Sequence, residues 1–180
     1  MTEDKLRWNA RYKKGRLTPL HDTLTRFYGF ARRGKALEIA CGTGANSIFL
    51  AKKGFRVVAI DISDVAINKA RLQAKREGVE HLLHFKPMDV RAFGFMPEQY
   101  SIVLSFYFLD RSLFRKMERS LSKGGVLIFE TYNYKYLDLN PTFDPRYVLN
   151  KNELLKSFSG LELLYYSETS FITTFVAKKP

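Results

Sequence analysis

Residues 36–61, ALEIACGTGANSIFLAKKGFRVVAID, decide the fold. They open on a short apolar run, turn through Gly42 and Gly44, continue with helical spacing to Gly54, and return to an apolar run that ends in Asp61. Strand, glycine loop, helix and strand together make the unit of a parallel sheet, because parallel neighbours need a crossover long enough to hold a helix. Open sheets of this kind bind ligands at the carboxyl ends of their strands, which is where the glycine loop falls. The loop does not complete a G-x-G-x-x-G fingerprint, since Ser47 stands in the third position. Glu38 decides more. A carboxylate four residues ahead of Gly42 repels a pyrophosphate and attracts an ammonium or a sulfonium.

The same alternation extends outward on both sides. Towards the N-terminus, 3–14 and 20–33 carry helical patterning and are separated by Gly15 and Pro19. Towards the C-terminus, 63–78 reads as a helix capped by Ser63 and ended by Gly78. A third strand is expected at 81–89, a fourth at 100–109, a helix with its glycine stop at 111–125, and a fifth strand at 126–132. Runs rich in Val, Ile, Leu and Phe without strict alternation suit strands buried on both faces. The prediction is a Rossmann-like, doubly wound, mostly parallel α/β sheet of seven strands. The last two strands depart from the rhythm. After a helical stretch at 151–158, the runs 161–168 and 170–179 leave no room for a helix between them and should form an antiparallel hairpin at the sheet's edge.

The composition fits a globular chain: of 180 residues, 46% are hydrophobic and 14% aromatic, enough for one core. One domain is expected, with 1–33 as a helical lid segment and 34–180 as the sheet-bearing core. A single cysteine, Cys41, leaves no internal disulfide, and no Cys/His cluster has zinc spacing, so no metal is expected. The longest apolar-aromatic run, SIVLSFYFL at 101–109, is far short of the ~20 residues of a spanning helix. With no secretory signal pattern at the N-terminus, the expected location is the cytoplasm, with no membrane partner. The net charge of +12 would draw anions, nucleic acid included. Yet the basic residues recur at helix-like intervals, as in NKARLQAKREG and FRKMERSLSKGG, the pattern of solvated helix faces, so nucleic acid is not the favoured partner.

In its motifs the sequence resembles the class I S-adenosylmethionine-dependent methyltransferases, and within them the small tellurite-resistance and thiopurine methyltransferase-like group. LEIACGTGANSIFLAKKGFRVVAIDIS (37–63) is similar to the first motif of that family running through to the second-strand acid. MDVRAF (88–93), YSIVLSFYFLDR (100–111) and LSKGGVLIFETY (121–132) resemble the three strand motifs that follow, and WNARY (8–12) with 140–158 is particular to the subgroup. The resemblance implies S-adenosylmethionine as cofactor and S-adenosylhomocysteine as product. It implies a binding set in which Gly42 and Gly44 admit the cofactor close to the backbone, amid Ala40, Cys41 and Asn46. Glu38 would face the methionine ammonium, Asp61 with Ile62 the ribose hydroxyls, Asp89 with Val90 the adenine, and Ser105 with Phe106 the methionine. Trp8 and Arg11 would close over the cofactor from the lid. Ala40 stands where relatives often have glycine.

Methyl transfer from a sulfonium has an activated leaving group, so holding the nucleophile close and collinear carries much of the catalysis. The expected acceptor is a small molecule of anionic, thiol or chalcogen type, entering where YFLDR and ETYNY converge at Tyr107, Asp110, Arg111, Glu130 and Tyr132. Arg111 is the residue expected to orient it as the catalytic group. Of the three histidines only His21 lies near the lid segment. RNA-directed methylation and noncatalytic adenosylmethionine binding are the alternatives. Amino-directed nucleic-acid enzymes usually carry an Asn or Asp, two prolines and an aromatic after the fourth strand, where this chain has SFYFLD.

Overall fold

The computed structural model describes residues 2–180. Seven strands form one mixed sheet in the order β3-β2-β1-β4-β5-β7-β6. Five are mutually parallel: β1 (Lys35–Ile39), β2 (Arg56–Asp61), β3 (Leu83–Pro87), β4 (Tyr100–Phe106) and β5 (Leu121–Tyr132). Antiparallel to β5 runs β7 (Ile172–Lys178), and antiparallel to β7 runs the edge strand β6 (Glu162–Thr169). Helices α1 (Thr2–Lys13) and α2 (Asp22–Phe27) precede the sheet. The crossovers carry α3 (Ala45–Lys52), α4 (Asp64–Arg76) and α5 (Phe114–Ser120), while α6 (Tyr136–Leu139) and α7 (Glu153–Ser157) lie between β5 and β6.

The chain builds outward from β1 to β3, then returns to place β4 on the other side of β1. In open α/β sheets such a reversal, beside the carboxyl end of β1, is where ligands bind. Both faces of the sheet are covered. On one, Ala36, Ile102 and Leu104 pack against Leu24 and Phe27 of α2, Leu50 of α3 and Ile67 of α4. On the other, Leu37, Ile39, Val103 and Phe129 pack against Phe114 and Met117 of α5 and Leu154 of α7. Strands buried on two sides must be apolar at successive positions, hence the uninterrupted runs in the sequence.

Three expected boundaries move. The helix read over 111–125 stops at Ser120, because Leu121 already pairs with Tyr100 and opens β5. Its glycines serve a register shift in β5 instead: a Cβ at Gly125 would come within 2.8 Å of two carbonyl oxygens, Ser122 and Tyr100. The helix read over 20–33 is confined to α2, followed by a 3-10 turn at Tyr28–Phe30. The third strand begins at Leu83 because Glu80–Leu82 forms another such turn. Ser63 does cap α4, its hydroxyl accepting the Ala66 N–H at 3.1 Å, and the hairpin does form the edge. Among the described residues no helix is long and apolar enough to cross a membrane.

Candidate active site

Beyond β1 the backbone turns three times into the left-handed region, at Ala40 (φ 55°), Gly42 (φ 54°) and Gly44 (φ 79°). Glycine is the ordinary occupant of such a position; a Cβ at Gly44 would also press to 2.9 Å from the Ala70 Cβ and 3.1 Å from the Phe85 ring. The loop is locked to the end of β2 through Asp61. Gly42 N–H donates to Asp61 Oδ2 at 2.8 Å and Ser63 N–H to Oδ1 at 2.8 Å, leaving acceptor capacity on each carboxylate oxygen. Glu38 lies beneath the loop on β1, 2% exposed. Asn46 Nδ2 donates to its Oε1 at 2.9 Å and the Ser47 hydroxyl donates to its Oε2. Both oxygens are therefore engaged by the first turn of α3. Among the described residues neither Glu38 nor Asp61 forms an ion pair with a basic side chain. Burial pushes the Glu38 carboxyl up to about 7 and raises Asp61 against the bonds from Ser63 and Gly42. Cys41 is buried, its thiol pushed up by burial and by Glu38, which leaves it a packing residue of the loop.

The N-terminal segment lies over this loop. Lys5 pairs with Asp64 at 2.6 Å, the Ser63 hydroxyl donates to Asn9 Oδ1 at 2.6 Å, and Lys69 Nζ donates to the Tyr12 carbonyl at 2.6 Å, so α1 is seated on the start of α4. Tyr12 is buried, and a Cβ at Gly42 would meet its hydroxyl at 2.7 Å and the Thr18 side chain at 2.6 Å. Thr18 and Thr43 exchange bonds: Thr18 N–H donates to Thr43 Oγ1 at 2.9 Å, and Thr43 N–H to Thr18 Oγ1 at 2.6 Å. Tyr12 and Thr18 thus reach the loop. Trp8 is half-buried, with the Arg11 and Arg16 guanidinium carbons 4.9 and 5.5 Å from its ring centroid. Of the WNARY residues, the sequence assigns a role only to Trp8 and Arg11; Tyr12, Asn9 and Thr18 take theirs from the fold.

At the end of β3, Asp89 accepts the Arg91 N–H at 2.9 Å and opens a 3-10 turn that buries Val90. Ile62 follows Asp61 half-buried. At the end of β4, Ser105 is 1% exposed and its hydroxyl donates to the Phe108 carbonyl at 3.1 Å, so that side chain closes a turn. The Phe106 ring stacks on His21, with centroids 4.1 Å apart. Tyr107 is held at φ 52° by its N–H bond to the Glu130 carbonyl, and its ring lies 5.1 Å from Tyr132 and 5.6 Å from His21. Burial, then Glu130, pushes the Tyr107 hydroxyl up to about 12. Glu130 itself accepts from the hydroxyls of Thr23 and Thr174.

Arg111, expected to orient the acceptor, has four of its donors engaged within the fold. Its Nε and Nη2 donate to the two carboxylate oxygens of Glu153 at 2.6 and 2.9 Å, Nη1 donates to the Arg146 carbonyl, and Nη2 also to that of Val148. A guanidinium with four donors committed has almost nothing left for an acceptor. It clamps the 140–158 segment to the start of α5. Asp110, expected at the acceptor mouth, accepts from Arg91 Nε at 2.7 Å instead.

A family model described as a methyltransferase domain matches residues 36–125, half of the chain and the part that carries the glycine loop, Asp61 and Asp89. The chain belongs to the methyltransferase-domain family. This methyltransferase domain is 30% identical over 112 residues to an uncharacterized protein of Haemophilus influenzae, covering 58% of this chain and 45% of that one. It is 29% identical over 133 residues to the ubiquinone biosynthesis O-methyltransferase of Aeromonas salmonicida, covering 67% and 55%. The chain spans about half the length of the curated relatives it matches. In fold it is similar to the crystal structure of TehB from Haemophilus influenzae, with a TM-score of 0.79 at 20% identity over 93% of this chain and 65% of that one.

Proposed function

We propose that this methyltransferase domain binds S-adenosylmethionine and methylates a small-molecule acceptor. The observation that carries the reading is the pair of buried carboxylates, Glu38 and Asp61, bracketing a left-handed loop, with no basic side chain paired to either among the described residues. Two buried acids without a cation are unfavourable when ionised, and a positive ligand would stabilise them. The residues fit that ligand. Asp61 keeps acceptor capacity on both oxygens for a pair of hydroxyls, the positive φ values at 40, 42 and 44 turn the loop between the two acids, and Asp89 with Val90 presents an acceptor and an amide at the end of β3. When bound, S-adenosylmethionine supplies a methyl group on a sulfonium, already activated for in-line displacement.

The chain's own contribution is placement. Glu38, engaged by Asn46 and Ser47, acts on the ligand through its field rather than as a direct partner. Tyr12 and Thr18 cover the loop and keep water from it, and Phe106 with Tyr107 forms the wall on the acceptor side. Calorimetric titration with S-adenosylmethionine tests the reading. The wild type should bind in the micromolar range, and Asp61→Ala, checked for retained folding by circular dichroism, should weaken binding about a hundredfold through loss of charge-assisted hydrogen bonds worth about 3 kcal/mol. Absence of binding by the wild type overturns the proposal.

A further inference from the structure

His21 lies beside Phe106 and Tyr107 at the end of β4 and is built into a relay that reaches the buried acid. Its backbone is fixed as the N-cap of α2, with the Leu24 and Thr25 N–H groups donating to its carbonyl. Its ring stacks on Phe106 with an interplanar angle of 14° and faces Tyr107. Its N–H donates to Asn46 Oδ1 at 3.1 Å, and Nδ1 lies 3.2 Å from Asn46 Oδ1 and 3.1 Å from Asn46 Nδ2. Asn46 Nδ2 in turn donates to Glu38. The carboxylate thus settles which way the amide points, since only the NH2 end can face Glu38. No group among the described residues bonds His21 Nε2, and Nε2 is not among the fully enclosed polar atoms. The nitrogen on the open side is free.

We propose that His21 is the acceptor-side catalytic base, with Asn46 and Glu38 as the residues that position it. The acceptor it serves is an aryl hydroxyl, a group protonated at neutral pH, and the reading rests on the methyl transfer proposed above. Asn46 suits this role because Oδ1 can accept Nδ1–H, leaving Nε2 as a bare acceptor, and keeps accepting when the ring is protonated. The aromatic body follows from the ring cluster beside His21: Phe106 stacks on it, Tyr107 lies exposed next to both it and Tyr132, and Tyr132 is stacked at 4.0 Å on Tyr136. Flat rings stack on such a surface, whereas a small hydrated oxyanion gains nothing from it. In the step, the hydroxyl proton passes to His21 Nε2 and the freed oxygen pair forms the new O–C bond with the methyl group. The C–S bond breaks with its pair left on sulfur, and the imidazolium then gives its proton to water.

Two measurements on the full chain test this. The first is nitrogen NMR of the protein with 15N-labelled histidine and S-adenosylhomocysteine. The proposal requires Nδ1–H with bare Nε2, and loss of that tautomer preference in Asn46→Leu; a ring protonated at Nε2 and accepting at Nδ1 overturns it. The second compares methylation of catechol with that of 4-nitrothiophenol, which is ionised at neutral pH and needs no base. In His21→Phe, which keeps the stack on Phe106, the catechol-to-thiolate rate ratio should fall at least about a hundredfold, the range of general-base catalysis. An unchanged ratio reduces His21 to a packing residue, and a wild type that methylates no catechol overturns the acceptor class. Calorimetry with S-adenosylhomocysteine separates these failures from failure of the cofactor reading, which would show as no binding at all.

Discussion

At Ala40 a residue with a side chain adopts φ 55°, in the left-handed region. A side chain there crowds its own following carbonyl, at a strain of about 1–2 kcal/mol. Glycine would relieve that strain but lose more freedom on folding, by about 0.5–1 kcal/mol. The difference favours glycine. Ala40→Gly should therefore stabilise the protein by about 0.5–1 kcal/mol, read as a rise in the thermal midpoint of about 2 °C. A lower midpoint would mean that the Ala40 methyl makes packing contacts that outweigh the strain. The neighbouring glycines mark the opposite case: at Gly44 a Cβ has both the wrong φ and the Ala70 and Phe85 side chains against it. Tyr107, at φ 52°, carries the same kind of strain at the acceptor wall, where its amide is tied to β5.

Among the elements, the 140–158 segment depends on one side chain. Arg111 holds its far end through Glu153 and its near end through the carbonyls of Arg146 and Val148. Arg111→Ala removes a partly exposed bidentate pair and two carbonyl bonds together, which should destabilise the protein by about 1–2 kcal/mol. Amide exchange should quicken across 144–153, and adenosylmethionine affinity should stay within about twofold, since no cofactor-side group is touched. Unchanged exchange in that segment with a raised KM for the acceptor would place Arg111 at the acceptor mouth. The sequence disguised this role for a physical reason: Glu153 lies 42 residues away, and an arginine near its acid looks like any surface cation until the fold closes. Separation along the chain likewise hid Thr18 from Thr43 and His21 from Asn46, each pair 25 residues apart. What depends on local chemistry was legible. The parallel strands announced themselves because burial on two faces permits only apolar runs, and the loop because Gly42 and Gly44 sit at positive φ. The helix read over 111–125 ran too far because its glycine pair, placed like a stop, instead shapes a strand irregularity.

For the molecule as a whole, the buried acid beneath the loop sets how stability responds to pH. Glu38 moves from its ordinary 4.5 to about 7 on folding, chiefly because burial disfavours the carboxylate. A carboxyl whose folded value is raised is tolerated best while protonated. Its contribution is fully present below pH 4.5 and is lost as pH rises through 7. In the wild type, ionised Glu38 therefore lowers stability above pH 7 by about 3 kcal/mol, each tenfold weakening of the acid being worth ~1.4 kcal/mol. Glutamine has the same shape and stays neutral; its carbonyl can accept from Asn46 and its amide can donate to the Ser47 hydroxyl. In urea unfolding Glu38→Gln should exceed the wild type by about 3 kcal/mol at pH 8 and by less than about 1 kcal/mol at pH 5. The same variant should bind S-adenosylmethionine more weakly at pH 8, having lost the field that draws a cation. Stability equal to the wild type at both pH values would show that the wild-type carboxylate is already compensated within the fold, and would remove the reason for a positive ligand. A gain in stability at pH 8 together with weakened cofactor affinity is the outcome that ties the buried acid to its ligand.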